Sequence, residues 1–160
     1  MATARNGNIE LFYEAFGSDG DPVLLLVNGL GSQCINFDPE WCEQFAATGH
    51  RVVRFDNRDV GLSTKLDGPD HDGEYDLRAM AADAVAVLDA VGADRAHVLG
   101  VSLGGMVVQR MAIHHADRLR TMTSVMSRTG EPGFGDSAPE AMAFLTAPPA
   151  TSREEYVERQ

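Results

Sequence analysis

The sequence is short of basic charge, of long apolar runs and of cysteine, and each shortage removes a class of function. Lys and Arg number 13 against 24 Asp and Glu, a formal net charge of −11. Proteins that coat nucleic-acid phosphate rely on clustered Lys and Arg. The densest basic spot here, Arg118 with Arg120, is too small to reverse an acidic field. Nucleic acid is therefore not an expected partner. No stretch approaches the ~18 uninterrupted apolar residues of a membrane span. The longest runs, Val23–Val27 and Ala96–Val101, are strand-sized, so no membrane partner is expected. Met1-Ala2-Thr3-Ala4-Arg5-Asn6 lacks the charged-then-apolar layout of a secretory signal. Two cysteines, Cys34 and Cys42, cannot build a disulfide framework, and both are read as reduced thiols in the cytoplasm. Repeats, low-complexity tracts and a Walker-A sequence are missing too.

What is there is an ordinary globular composition, 44% apolar and 23% charged. Its 160 residues suit one domain, and a chain of that size buries around 70% of its unfolded surface. Residues 8–16 mix alternation with aromatics and end at Gly17-Ser18-Asp19-Gly20, which predicts a strand and turn, antiparallel to its neighbour. Val23–Val27 is continuously apolar, as a parallel strand buried on both faces would be. A loop, Asn28-Gly29-Leu30-Gly31-Ser32, follows it, then a predicted helix over 39–47 stopped by Gly49. Arg51–Phe55 reads as a strand and 56–66 as a loop. Asp76 is a good N-cap for a helix carrying Leu77, Met80, Ala81, Ala84, Leu88 and Val91 on one face as far as Gly92. A short strand over 96–99, a helix over 103–115 and a strand over 119–126 complete the pattern. Such alternation predicts an α/β fold, a mostly parallel, doubly wound sheet covered on both faces. After Ser127 the pattern dissolves into Pro- and Gly-rich chain with two short helical segments, 141–145 and 153–159.

Gly100-Val101-Ser102-Leu103-Gly104 fits G-x-S-x-G, with a predicted strand before it and a helix after it. A serine at so sharp a turn is forced into an unfavourable backbone conformation that lifts its hydroxyl above the sheet. Small residues are needed two places either side, because bulkier ones would collide as the chain reverses. The next helix aims its unpaired N–H groups at the site, which favours developing negative charge. Ser102 is therefore the candidate nucleophile. A glycine-rich turn can instead cradle a dinucleotide pyrophosphate, but Ser102 stands where the second glycine belongs, and no acidic residue ends the next strand. A tetrahedral oxyanion needs two donors, and the backbone N–H groups of Leu30 and Leu103 are the natural pair. Gly29 and Gly31 leave the first loop open to a ligand, as Gly100 and Gly104 permit the second turn.

These segments resemble the α/β-hydrolase family, of the serine-esterase type that includes the aclacinomycin methylesterase-like hydrolases. The resemblance rests on residues 24–31, on Arg54-Phe55-Asp56-Asn57-Arg58-Asp59-Val60-Gly61-Leu62-Ser63 and on residues 100–105, and spans roughly 9–127. It implies a serine nucleophile, a distant His base, an acid that orients the His, no cofactor and no metal. Many members carry His where this chain has Asn28, a change to the lining of the oxyanion hole more than to its existence. Asp56-Asn57-Arg58 resembles the family's structural turn, with Arg58 pairing locally. Glu131 is a faint candidate acid, because some members place theirs after the corresponding strand.

None of the five histidines makes an adequate base. His97 lies five residues before Ser102 on one strand, about 16 Å away. His114 and His115 sit at the far end of the next helix, about 18 Å from its start. His50 precedes a strand, at the opposite end of the sheet from the strand C-termini, and His71 lies in the polar loop 67–74, which could approach the site but carries no further mark of a base. Since the family places acid and His on later loops, the chain is expected to be the N-terminal part of such a core. It would hold about six strands over residues 1–128, with the strand 119–126 a bare edge. Residues 129–160 would start a helical lid, with Met142, Phe144, Leu145 and Tyr156 lining an apolar pocket, or form a disordered tail.

The expected function is serine hydrolysis of a small apolar carboxylic ester through an acyl-enzyme on Ser102, with little or no turnover by these 160 residues alone. The alternatives are a non-catalytic fragment or small-molecule binding module, and a cofactor-free perhydrolase or C–C hydrolase using the same serine. Of the remaining polar residues, Cys34 has nothing basic beside it to activate it, Asp83 and Asp89 read as a solvated helix face, and Trp41 as a packing anchor.

Overall fold

Strands of both kinds, the alternating and the continuously apolar, join one sheet. The computed structural model describes residues 2–66, 75–131, 133–145 and 151–158. In chain order come β1 (Ala2–Asn6), β2 (Ile9–Phe16), β3 (Val23–Val27), α1 (Pro39–Ala46), β4 (Arg51–Phe55), α2 (Leu77–Ala90), β5 (Ala96–Val101), α3 (Leu103–His114), β6 (Leu119–Val125), α4 (Pro139–Leu145) and α5 (Arg153–Glu158). The sheet runs β1-β2-β4-β3-β5-β6. From β4 to β6 its strands are parallel, while β2 is antiparallel to both its neighbours. This is the mostly parallel α/β sheet that the strand–helix alternation predicts.

Every residue of β3 is buried, as its unbroken apolar run requires. On one face α2 and α3 cover the sheet, packing Ala81, Ala84, Val87, Val107 and Met111 against Leu11, Leu25, Val53 and Phe55. On the other face α1 covers Leu24, Leu26 and Val52. Each of the Val, Leu, Met and Phe side chains removed from water contributes about 1.5–3 kcal/mol before entropy is counted, and each Ala less. Trp41 anchors this second layer, stacked on Phe37 and edge-on to Phe45. Helices α1 and α2 start on carboxylate caps: Asp38 accepts from Glu40 N, with Pro39 at the first turn, and Asp76 accepts from Ala79 N.

Four details depart from the sequence expectation. First, β1 has no counterpart among the expected strands. It buries only Ala4, so it carries no apolar signature, and it is held by pairing from Ala2↔Tyr13 to Asn6↔Ile9. Second, β5 continues two residues beyond 99, because Gly100 and Val101 pair with Ser124 and Val125 of β6. Third, β6 stops at Val125, and Met126 turns away at φ 49°. Fourth, Asp83 is not on a solvated face. It is buried, and its two carboxylate oxygens accept from Arg58 Nε at 2.6 Å and Nη2 at 2.7 Å. Asn6 Nδ2 donates to the same carboxylate at 2.8 Å. Arg58 therefore pairs across the fold rather than locally. Its hydrogen-bonded ion pair compensates the cost of taking two charges from water, and the Tyr75 ring covers the guanidinium at 4.9 Å. Asp89 is solvated as expected, although Arg118 reaches it at 2.6 Å.

β6 forms one edge of the sheet and is exposed beyond Leu119. The two helical segments expected in the tail are α4 and α5. His71 and the loop 67–74 lie outside the described residues, as do the side chains of Phe144, Leu145 and Tyr156. Among the described residues, no helix is long and apolar enough to cross a membrane.

Candidate active site

Parallel strands that end together present their C-terminal loops on one side of the sheet, and two of those loops meet at Ser102. β5 ends at Val101 and α3 begins at Leu103, so a single residue makes the reversal. Ser102 makes it at φ 55°, ψ −118°, a conformation that costs an L-residue of order 1–3 kcal/mol. The turn is braced from several directions. Ser102 N donates to Val125 O at 2.9 Å, tying it to β6. A Cβ on Gly100 would stand 2.1 Å from Gly104 O, and one on Gly104 would stand 2.1 Å from Val27 O. The first turn of α3 thus lies directly against the end of β3, which only glycine allows.

The loop after β3 passes just as near. A Cβ on Gly29 would lie 3.3 Å from Ser102 Cβ and 3.8 Å from its Oγ. Asn28, buried, organises this loop: its Nδ2 donates to Gln33 O at 2.7 Å and its Oδ1 accepts from Gly29 N at 3.3 Å. Gly31 adopts φ 67° with nothing within 4 Å of its missing side chain, so glycine serves conformation there and not space. Among the described residues, the amide N–H groups of Leu30 and Leu103 have no acceptor. Leu103 is the first residue of α3, where an N–H has no intrahelical partner. Ser102 is exposed at the floor of an open cleft of about 400 Å³, bordered by Leu30, Leu103, Met106, Met126 and Arg128. The seven positions singled out from the sequence, Gly29, Leu30, Gly31, Gly100, Ser102, Leu103 and Gly104, therefore fall on two adjoining turns.

Other candidates lie elsewhere. His97 is held at the other end of β5, its Nδ1 2.8 Å from Thr121 Oγ1 and its ring edge-on to His50 at 5.7 Å. Burial, then the nearby His50 and Arg120, lower its pKa below the usual imidazole value. His114 closes α3 and His115 caps it. No described histidine borders the Ser102 cleft. Glu131 is exposed and outside the cleft lining. Asp56 is buried and committed to its own turn, accepting from Cys34 N at 2.7 Å and Leu62 N at 2.8 Å. Burial, and then the neighbouring Asp56 carboxylate, push the Cys34 thiol up to about 12. Both cysteines are free and buried. Among the described residues, no three His, Cys, Asp or Glu side chains converge as a metal site would need.

Three supporting residues are not among the site residues singled out from the sequence. Asn57 Nδ2 donates to Asn28 O at 3.2 Å. A Cβ on Gly105 would lie 2.4 Å from Ser127 Cβ. Gln109 Nε2 lies 3.1 Å from Gly105 O, 3.2 Å from Ser124 Oγ and 3.1 Å from Arg128 O, fastening α3 to the end of β6. Only the doubled glycine at 104 and 105 could have hinted at the second of these.

Comparison with known proteins places the chain in a lineage. A family model described as the alpha/beta hydrolase fold matches residues 22–152. The chain is similar to a rhodomycin D methylesterase of Streptomyces peucetius, 32% identical over 174 aligned positions that cover 97% of this chain and 58% of the relative. It is also similar to a protein named as a putative carbamate hydrolase in Azorhizobium caulinodans, at 34% identity over 84% of this chain and 47% of the relative. Among solved structures, a hydrolase from Pseudomonas aeruginosa superposes with a TM-score of 0.73 at 27% identity, covering 98% of this chain and 56% of that one. The chain spans about half the length of the curated relatives it matches.

Proposed function

The chain belongs to the alpha/beta hydrolase fold family, and from that membership we propose that it carries the nucleophile and oxyanion hole of a serine hydrolase acting on carboxylic esters. One observation supports this above the others: Ser102 sits at φ 55° beside two backbone N–H donors, of Leu30 and Leu103, that have no acceptor among the described residues. Ser102 Oγ attacks the ester carbonyl carbon, and the carbonyl electrons move to an oxygen that the two N–H groups hold. Each such donor lowers the barrier by about 2.7–4 kcal/mol when prealigned. Collapse of the adduct expels the alcohol and leaves an acyl-enzyme, which water then opens to release the acid.

A base must take the Ser102 proton and return it to the leaving alkoxide. Since no described histidine borders the cleft, we assign the base and its orienting acid to positions outside the described residues. Leu30, Met106 and Met126 give the cleft an apolar wall, which suits an apolar ester. The methylesterase name of one relative makes a methyl ester the first substrate class to try. We read residues 129–160 as the start of a lid over this cleft, with Gly135 and Ser137 already bordering it.

The test is covalent. The 160-residue chain, incubated with a reactive fluorophosphonate, should gain one adduct slowly, at Ser102, and should turn over p-nitrophenyl acetate little or not at all. Equal labelling of the Ser102→Ala variant removes Ser102 as nucleophile.

A further inference from the structure

A second cleft, of about 470 Å³, shares Leu30 and Leu103 with the first but runs between the N-terminal turn of α2 and the length of α3. Tyr75 and Met80 give it an apolar wall, and two arginines, Arg78 and Arg110, lie along it. We propose that this cleft is an anion subsite, which holds the carboxylate-bearing arm of a small-molecule substrate whose ester carbonyl lies at Ser102. The link to catalysis rests on the function proposed above; the anion site itself does not.

Charge singles the cleft out. In a chain of net charge −11 most of the described arginines have a polar partner. Arg51 meets Asp19, Arg54 meets Glu14, Arg58 meets Asp83, Arg118 meets Asp89 and Arg128 meets Asp136. Arg95 closes on the carbonyl of Leu119. Arg110 has neither a carboxylate nor a carbonyl partner among the described residues, and Arg78 makes no ion pair there, only a longer-range electrostatic interaction with Asp76. Asp76 also borders the cleft, but its carboxylate caps α2, and the hydrogen bond from Ala79 N holds it below the usual carboxylate range. Among the described residues that line the cleft, two cations stand against one carboxylate, and their summed charge is positive. A guanidinium fork matches a carboxylate in shape as well as charge.

Spacing fits a substrate arm. Arg110 lies seven residues, two helical turns, beyond Leu103, and so stands on the same side of α3 about 10 Å further along. An ester held at the Leu30 and Leu103 N–H groups would therefore reach Arg110 with an aryl or short alkyl spacer, whose apolar body would meet Tyr75 and Met80.

The experiment is a fluorine NMR titration of the chain with 4-(trifluoromethyl)phenylacetate and, separately, with its uncharged primary amide. The carboxylate should bind about fivefold tighter, the size expected of a partly solvated ion pair. The preference should vanish in Arg78→Gln/Arg110→Gln and persist in Ser102→Ala. Should that double variant not fold, Arg78→Glu alone, at an exposed position, should abolish the preference. Equal binding of acid and amide by the unaltered chain overturns the proposal, as does a preference unmoved by the arginine substitutions. A carboxylate preference without fluorophosphonate labelling of Ser102 keeps the anion site and removes the hydrolase reading. Labelling without the preference removes the anion site alone.

Discussion

Replacing Gly104 with alanine puts the geometry of the turn to a quantitative test. The added Cβ would meet Val27 O at 2.1 Å, Val27 C at 2.6 Å and Asn28 O at 2.7 Å, where ordinary contact begins at 3.4 Å. All three are main-chain atoms at the end of β3, a strand buried along its whole length, so no side chain can rotate out of the way. α3 itself must retreat by over an ångström, and its first N–H must move away from that of Leu30. Overpacking of this kind costs about 1–3 kcal/mol, and rigid neighbours place Gly104→Ala near the top, at about 3. With a urea m-value of about 2 kcal/mol/M, the midpoint should fall by about 1.5 M. Gly31→Ala is the control. Its φ of 67° strains any side chain, but nothing lies within 4 Å, so the cost is only the left-handed conformation, about 1 kcal/mol and about 0.5 M. The single tryptophan, Trp41, packed between Phe37 and Phe45, reports unfolding by its fluorescence. A Gly104→Ala midpoint at or above that of Gly31→Ala refutes the account.

Asp83→Ala leaves the Arg58 guanidinium buried without its carboxylate and should cost about 3–5 kcal/mol in urea unfolding, whereas Arg58→Leu/Asp83→Leu should cost less; a single-variant loss below about 1 kcal/mol contradicts the pairing. Cys34, with its pKa pushed up to about 12 by burial and by Asp56, should resist thiol reagents at pH 8 in the folded chain and react once unfolded. The sign of the accompanying pH effect is fixed. The folded thiol keeps a proton that the unfolded one, at 9.0, gives up, so stability falls as pH rises above about 9. Cys34→Ala should flatten that fall in part, because burial raises Cys42 as well. An unfolding midpoint indifferent to pH between 8 and 10.5 refutes the shift.

The legible parts of this chain are those where one residue type has one physical use. Continuous apolar β3, the N-cap at Asp76, and a serine flanked by glycines all follow from local chemistry, and the structure has each in its expected place. Pairing between distant segments is not legible in that way. Asp83 stands among alanines and reads as surface, and only the approach of Arg58 from the loop after β4 makes its burial tolerable. β1 depends on β2 for its stability and shows little apolar pattern of its own. The two turns at Ser102 were foreseeable one at a time. That Gly29 lies against Ser102 follows only from β3 and β5 being neighbours in the sheet.

The backbone at Ser102 has a bearing on how variants of this protein should be bred. With φ at 55°, the position is one where glycine is at ease and every other residue is under tension. A library ranked by melting temperature would therefore reward Ser102→Gly, relieving the turn while discarding the hydroxyl on which the proposed chemistry depends. Selection for robustness and selection for reactivity pull in opposite directions at this one residue, and a programme that measures only the first will drift away from the second.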